Sequence, residues 1–420
     1  MRVVIAGGGT GGHTSTGLAV AEALRARQVE VIWIGSHKGI EASRVPAAGI
    51  PYHAIPTGKL RRPWDWRNLR DLLGGVPAGL FHSLRLLRRL RPHLLFATGG
   101  FVALPPAAAA RALAIPVFVH EQTAVAGLAN RLAGRFASKV ALTFEEARDA
   151  FPPDRVVVTG NPLRPELAGA TREEGFARLG LDPGRPLVYV TGGAQGSHRI
   201  NRSVGEILEG LLEESQIIHQ CGANPSTRDH DWLEERAQRL PASLRARYRL
   251  VPYVGSDLKD TYAAASLVVS RAGAGTVNEC CQLARAAIFI PLPGARGDEQ
   301  TANARIVERA GGAQLLPESE LSPERLLRSI RALLADTEEL TAMGQRARRL
   351  AIPDAAERLA DLILSATESR MHLHGGQSRG EAAVGEAGGP GGRSEAGRPR
   401  SAAGADSSSS PPPPGAHGTR

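Results

Sequence analysis

The chain has 420 residues, 42% of them hydrophobic, enough to fill two ordinary domain cores. Its formal net charge is +9, so partners carrying phosphate or other anionic groups are favoured: nucleic acid, anionic lipid or a phosphorylated small molecule. No apolar run reaches the ~18 residues of a membrane span and no export signal is visible, while Cys221, Cys280 and Cys281 have the spacing of neither a zinc knuckle nor a secreted disulfide framework, which points to a reducing cytoplasm.

The first apolar run, residues 3–6, leads into Gly7-Gly8-Gly9-Thr10-Gly11-Gly12 and His13, with a helical pattern from near Leu18. A strand, a glycine turn and a helix start make a phosphate cradle, because glycine lets the backbone approach an anion and the unpaired N–H groups of the helix end point at it. The next strand, 29–34, ends in Gly35-Ser36-His37-Lys38. A nicotinamide site wants Asp or Glu there to hold the ribose, so a dinucleotide oxidoreductase is disfavoured.

Between residues 59 and 91 the chain mixes Arg61, Arg62, Arg67, Arg70, Arg85, Arg88, Arg89 and Arg91 with Trp64, Trp66, Val76, Leu80 and Phe81, against only Asp65 and Asp71. Leu80, Leu84 and Leu87 share one helical face. A basic amphipathic segment of this kind suits an anionic membrane surface, with Val76, Leu80, Phe81, Arg85, Arg88 and Arg89 as contacts. The alternative is that the leucines pack on a sheet and the arginines are simply solvated.

Further strands are expected at 94–97, 117–119, 140–143 and 156–159, then at 187–190, 216–220, 267–270 and 287–291, alternating with helical patterns. That alternation indicates parallel sheets covered on both faces, and two sheets rather than one, because new glycine loops open the second half. The first of these is Gly192-Gly193-Ala194-Gln195-Gly196-Ser197, and the other is Arg271-Ala272-Gly273-Ala274-Gly275-Thr276 with Glu279 in the helical turn behind it. Glu279 is placed to accept from a ribose diol while the helix start faces a phosphate, which makes a nucleotide diphosphate the natural ligand of the second half. Taken singly, each loop is also compatible with a packing turn, Glu279 with a helix-dipole acid and His13 with a polar helix-start residue. Beyond about residue 368, a Gly-Gly-Pro-Gly-Gly string, a serine run and a proline run read as a disordered tail.

Several strings in order, Gly7 to His13, Thr98-Gly99-Gly100-Phe101, His120-Glu121-Gln122, Gly160-Asn161-Pro162-Leu163-Arg164, Gly192 to Gly196, Ser270 to Ala274 and Asp298-Glu299-Gln300-Thr301-Ala302-Asn303-Ala304, resemble the peptidoglycan glycosyltransferases that convert lipid I to lipid II. The resemblance implies an α/β GT-B fold, two Rossmann-like parallel-sheet domains facing across a cleft. Residues 1–162 would form the acceptor and membrane domain, joined by a return helix at about 350–367, and 163–349 the UDP-GlcNAc domain, with 368–420 as the tail. It implies that Val254 holds uracil through its backbone near Arg164, that Glu279 binds the ribose, and that Ala274, Gly275, Thr276, Ala194 and Gln195 surround the diphosphate and sugar. Gln300, with Glu299 beside it, would bind the GlcNAc hydroxyls, Thr10, Gly11 and Gly12 would line the acceptor side, and His13 would be the general base.

The sequence departs from the family pattern where Ala194 replaces serine, with Ser197 close enough to substitute, where Thr123 stands for asparagine in the sugar contact, and where Gly275 replaces leucine. The resemblance further implies UDP-GlcNAc, lipid I and anionic inner-leaflet lipids as partners, no cofactor, and a peripheral place on the cytoplasmic face of the plasma membrane. No metal is expected, since no Asp-x-Asp pair is placed to hold one. Nucleic acid is disfavoured because no aromatic stacking motif interleaves with the basic residues. Another UDP-sugar enzyme of the same fold, a lipid glycosyltransferase or a UDP-GlcNAc 2-epimerase, is the alternative.

Overall fold

The computed structural model describes residues 1–58, 75–294 and 296–380, with the side chains of Arg296 and of residues 368–380 excepted. Residues 59–74, which hold Arg61, Arg62, Trp64, Trp66, Arg67 and Arg70, lie outside the described residues, as do residues 381–420 of the expected tail.

Strands β1 (Arg2–Gly7), β2 (Glu30–Ser36), β3 (Tyr52–Ile55), β4 (Leu94–Gly99), β5 (Val117–Glu121), β6 (Lys139–Leu142) and β7 (Val156–Val158) form one sheet in the order β3-β2-β1-β4-β5-β6-β7. Strands β8 (Leu187–Thr191), β9 (Gln216–Gln220), β10 (Tyr248–Val251), β11 (Ala265–Ser270), β12 (Ala286–Phe289) and β13 (Ala313–Leu315) form a second, in the order β10-β9-β8-β11-β12-β13. The pairings are parallel throughout the described residues. The central strands are continuous apolar runs such as Val3-Val4-Ile5, fully buried, as a sheet covered on both faces requires. In both sheets the strand order reverses beside the first strand, at β1/β4 and at β8/β11, and a crevice opens outside the strand ends at such a point.

Helices covering the two sheets include, in chain order, α1 (Gly11–Ala26), α2 (Glu41–Ala47), α3 (Val76–Leu90), α4 (Leu128–Gly134), α5 (His198–Glu206), α6 (Leu258–Ala264), α7 (Ala274–Gln282), α8 (Glu299–Arg309) and α9 (Ala355–Gly380). Helix α1 begins at Gly11 rather than near Leu18, because the Thr10 side chain caps it by accepting from the His13 N–H at 3.4 Å. Gly17 lets α1 settle on the sheet: a Cβ there would stand 2.3 Å from the buried Trp33 ring, whose Nε1–H donates to the Gly7 carbonyl at 3.0 Å.

Helix α9 crosses back to the first sheet, where Leu359, Ala360 and Ile363 join Val3, Ile5, Trp33 and Phe96 in one buried cluster. Its backbone continues to Gly380, past the limit of 367 expected for the return helix. Residues 1–369 form one compact unit. On α3, Leu87 is buried and Leu80 and Leu84 pack half-buried on the first sheet's core, so Leu80 serves the core side of the helix. Val76 is likewise half-buried. Phe81 is 64% exposed, and Arg85, Arg88 and Arg89 are exposed with it.

Candidate functional site

One cleft of about 1010 Å³ receives the ends of both sheets' central strands. On the first-sheet side its wall includes Thr10, Gly11, Gly12 and His13 at the start of α1, but not Gly7, Gly8 or Gly9. Gly7 and Gly8 are buried, while Gly9 is exposed. The Gly9 N–H donates at 2.9 Å to the carboxylate of Glu41, the first residue of α2, whose other oxygen accepts from the Ser36 N–H at 3.1 Å and the Ser36 hydroxyl at 2.6 Å. Gly8, at φ +151°, has no room for a Cβ, which would fall 2.2 Å from the Glu41 carboxyl carbon.

His13 stands against Gly99: a Cβ on that glycine would lie 2.7 Å from the imidazole Cε1. Burial lowers the His13 pKa below its ordinary value of 6.5, opposed by the charge of Glu121, the Thr98 backbone and the charge of Glu41, so the ring is neutral at neutral pH. His120, at the end of β5, is a different kind of histidine. It is fully buried, its Nε2 pairs with the Gly160 carbonyl at 2.9 Å, and burial lowers its pKa to about 4.

Beside them Glu121 is buried but fully engaged, accepting from the Thr123 N–H and hydroxyl, the Gly127 N–H and the Asn130 side chain. The Thr123 hydroxyl lines the cleft yet is already committed to Glu121 at 2.7 Å and to the Val125 carbonyl at 2.7 Å, which weakens it as a stand-in for the family's asparagine.

The second-sheet side centres on Arg164 and Glu279. Arg164 Nη2 and Nε lie 2.7 Å and 2.9 Å from one Glu279 oxygen, and the Tyr262 hydroxyl of α6 donates to the other at 2.7 Å. All three line the cleft together with Ala194, Ala274, Gly275, Thr276 and Glu299. Gly273, which caps α7, and Gly275 in its first turn have open space where a Cβ would be, so the helix N-terminus is free of obstruction.

Four expected residues are placed otherwise. The Ser197 hydroxyl caps α5 by accepting from the Ile200 N–H and is buried, so it does not replace the serine missing at Ala194. Gln195 is exposed outside the cleft wall. The Val254 N–H donates to Gln220 Oε1 at 3.1 Å, and Gln220 rather than Val254 faces the cleft. Gln300 is not part of the cleft wall, and its Oε1 accepts from the Leu292 N–H at 3.0 Å.

Four residues of consequence carry weak sequence signals. Glu41 looks like a surface helix acid, and Tyr262 like an aromatic of an apolar helix until its hydroxyl needs a partner. Asn303 joins the two sides, accepting from the Ala124 N–H at 2.9 Å and donating to the Ala272 carbonyl at 3.2 Å. Arg44 reaches from α2 across the mouth of the cleft to the Tyr253 hydroxyl at 2.9 Å. No group of three or more His, Cys, Asp or Glu positioned for a metal ion occurs among the described residues.

Residues 3–142 match the glycosyltransferase family 28 N-terminal domain and residues 187–359 the C-terminal domain of the same family. The chain belongs to glycosyltransferase family 28. Among its relatives, a UDP-N-acetylglucosamine–N-acetylmuramyl-(pentapeptide) pyrophosphoryl-undecaprenol N-acetylglucosamine transferase of Nocardioides sp. is 40% identical over 380 residues, covering 87% of this chain and 98% of the relative. A transferase of the same name from Bacillus cereus is 36% identical, covering 80% and 92%. Among solved structures, the MurG of Acinetobacter baumannii superposes with a TM-score of 0.67 at 28% identity, covering 87% of this chain and 99% of that one. A UDP-GlcNAc 2-epimerase of Neisseria meningitidis, at 14% identity and a TM-score of 0.64, shares the fold alone.

Proposed function

We propose that this family 28 glycosyltransferase moves N-acetylglucosamine from UDP-GlcNAc to the 4-hydroxyl of the muramoyl sugar of lipid I, making lipid II for peptidoglycan synthesis. The observation that carries the reading is a single cleft holding an imidazole kept neutral by burial on one side and, on the other, a guanidinium–carboxylate pair beside an unobstructed helix start. The relatives of 36–40% identity that run nearly the length of their own chains carry that transferase name, which favours it over a 2-epimerase. Donor binding belongs to residues 163–349, and acceptor and membrane binding to residues 1–162 with the helix at 350–367.

His13 accepts the proton of the acceptor hydroxyl as its oxygen attacks the anomeric carbon. The bond from that carbon to the UDP oxygen breaks with its electron pair, and configuration inverts from α to β in one displacement. Charge then gathers on the leaving diphosphate, where the N-terminus of α7, through Ala274, Gly275 and Thr276, stabilises it without a metal ion. Glu279 takes the ribose diol and Gln300 with Glu299 the GlcNAc hydroxyls. With radiolabelled UDP-GlcNAc and a lipid I analogue, labelled product forms only when both are present, and turnover persists with EDTA. Product without acceptor, or activity that disappears in EDTA and returns only with magnesium or manganese, contradicts the reading.

The acceptor's lipid requires a membrane surface, and no helix of the described residues is long and apolar enough to cross one. The exposed side of α3 serves as the peripheral contact with the anionic inner leaflet, Phe81 inserting and Arg85, Arg88 and Arg89 each adding ~1 kcal/mol near the surface. Phe81→Asp, or Arg88→Ala with Arg89→Ala, accordingly reduces co-sedimentation with anionic liposomes several-fold. Unchanged binding reduces these arginines to solvated surface charge.

A further inference from the structure

The first glycine loop has the form of a phosphate cradle, yet one of its donors, the Gly9 N–H, is already taken by an anion that belongs to the chain. Glu41 is 0% exposed, and three donors, the Gly9 N–H, the Ser36 N–H and the Ser36 hydroxyl, converge on its two oxygens at 2.6–3.1 Å. Three charge-assisted hydrogen bonds offset the desolvation that would otherwise expel a buried carboxylate. The position in the first turn of α2 adds the favourable end of a helix dipole. The glycines are shaped to this carboxyl group: a Cβ on Gly8 would fall 2.2 Å from its carbon, and one on Gly39 2.1 Å from its oxygens.

The next residues of the same loop, Thr10 to Gly12, begin α1 and present His13 to the cleft. We propose that Glu41 is the resident anion of this loop and acts as a positioning residue, pinning Gly8 and Gly9 so that the start of α1 and His13 meet the acceptor, and that no substrate phosphate binds at Gly7 to Gly9. The inference rests on His13 being the base. Diphosphate of the acceptor is left to the donors of Thr10, Gly11 and Gly12.

The geometry has an electrostatic companion. The charged groups that act on His13 are Glu121 and Glu41, which favour its protonated form, while His13 in turn lowers the pKa of the buried imidazole of His120. Glu41→Gln keeps the shape, removes one negative charge and offers an amide nitrogen to a site built from donors. Displacement of a catalytic group by about 1 Å costs on the order of 100-fold in rate. Glu41→Gln therefore lowers kcat by ~10- to 100-fold, leaves KM for UDP-GlcNAc unchanged, and moves the acid limb of the kcat profile to lower pH. Circular dichroism establishes that the variant is folded. Ser36→Ala, which removes one contact and no charge, gives a smaller loss in kcat with the limb in place, and serves if Glu41→Gln does not fold.

Glu41→Gln with the kcat and acid limb of the parent overturns the proposal, as does a variant whose only change is a raised KM for UDP-GlcNAc. If Glu41→Gln fails to fold, Ser36→Ala with the kcat of the parent overturns it. His13→Ala with undiminished turnover instead removes the base reading. Under that outcome a raised KM for lipid I in Glu41→Gln still marks Glu41 as the anchor of the acceptor-side loop, and an unchanged KM removes both.

Discussion

His13→Ala lowers kcat by about 10²- to 10⁴-fold, the usual contribution of a positioned general base, while the affinity for UDP-GlcNAc, measured by isothermal titration, stays as in the parent. The separation follows from the cleft. His13 belongs to the wall made by α1, whereas the pair Arg164 and Glu279, proposed to hold the nucleotide, belongs to the opposite wall. Burial lowers the His13 pKa, so the neutral base persists below the ordinary histidine value of 6.5 and the acid limb of kcat lies beneath that value. Above the limb the group is fully in its active form, and rate falls only as pH drops through the lowered pKa. An acid limb well above 6.5, or a kcat indifferent to the substitution, would assign the proton to another group. His120 is a poor candidate for it, since its ring is enclosed away from the cleft with its Nε2 held by the Gly160 carbonyl.

The second large effect is expected at Glu279. Glu279→Gln keeps the side chain's shape and its contact with Tyr262 but leaves the Arg164 guanidinium without its countercharge in a largely buried place. Burial opposes the charge of Arg164, while Glu279 holds its pKa above the ordinary arginine value despite that burial, so the pair depends on its carboxylate. Breaking a buried pair by removing one partner costs ~3–5 kcal/mol, which urea denaturation reads as a lowered midpoint. KM for UDP-GlcNAc rises together with that loss, because the ribose contact proposed for Glu279 and the arginine's anchor disappear at once. A midpoint identical to the parent's would mean that water reaches and compensates Arg164, and the nucleotide role of Glu279 would then stand or fall on KM alone.

The sheet centres are legible in the sequence because parallel strands buried on both faces leave uninterrupted apolar runs. The strands that escape such reading, β3, β10 and β13, are sheet edges of three or four residues, such as Tyr248-Arg249-Leu250-Val251, whose members are half-buried and mixed in polarity. Helix α1 starts earlier than its apolar periodicity because a threonine cap, not a hydrophobic face, defines its end.

At the site, residues that announce themselves within a short string, among them His13, Glu279 and Thr276, do reach the cleft. Residues whose work arises from a partner far along the chain do not announce themselves. Glu41 meets Gly9 only after a strand has intervened, and Asn303 meets Ala124 across the lobes. Proximity in sequence also misleads: Ser197 lies three residues from Ala194, yet its hydroxyl is consumed by its own helix. For α3 the periodic leucines mark the side that packs inward, leaving Phe81 and the arginines as the exposed remainder.

Helix α2 carries one more residue with reach, Arg44, whose exposed bond to Tyr253 joins the two sides of the cleft, as the exposed pair of Arg309 with Glu146 does; the link of Asn303 with Ala124 is buried. A hydrogen bond open to solvent is worth ~1 kcal/mol, roughly a fivefold bias in population. The molecule is thus bound like a book, with a firm spine and a light clasp. Thermal motion alone unfastens such a clasp, so the two substrates must supply the energy that keeps the covers shut while the sugar changes hands.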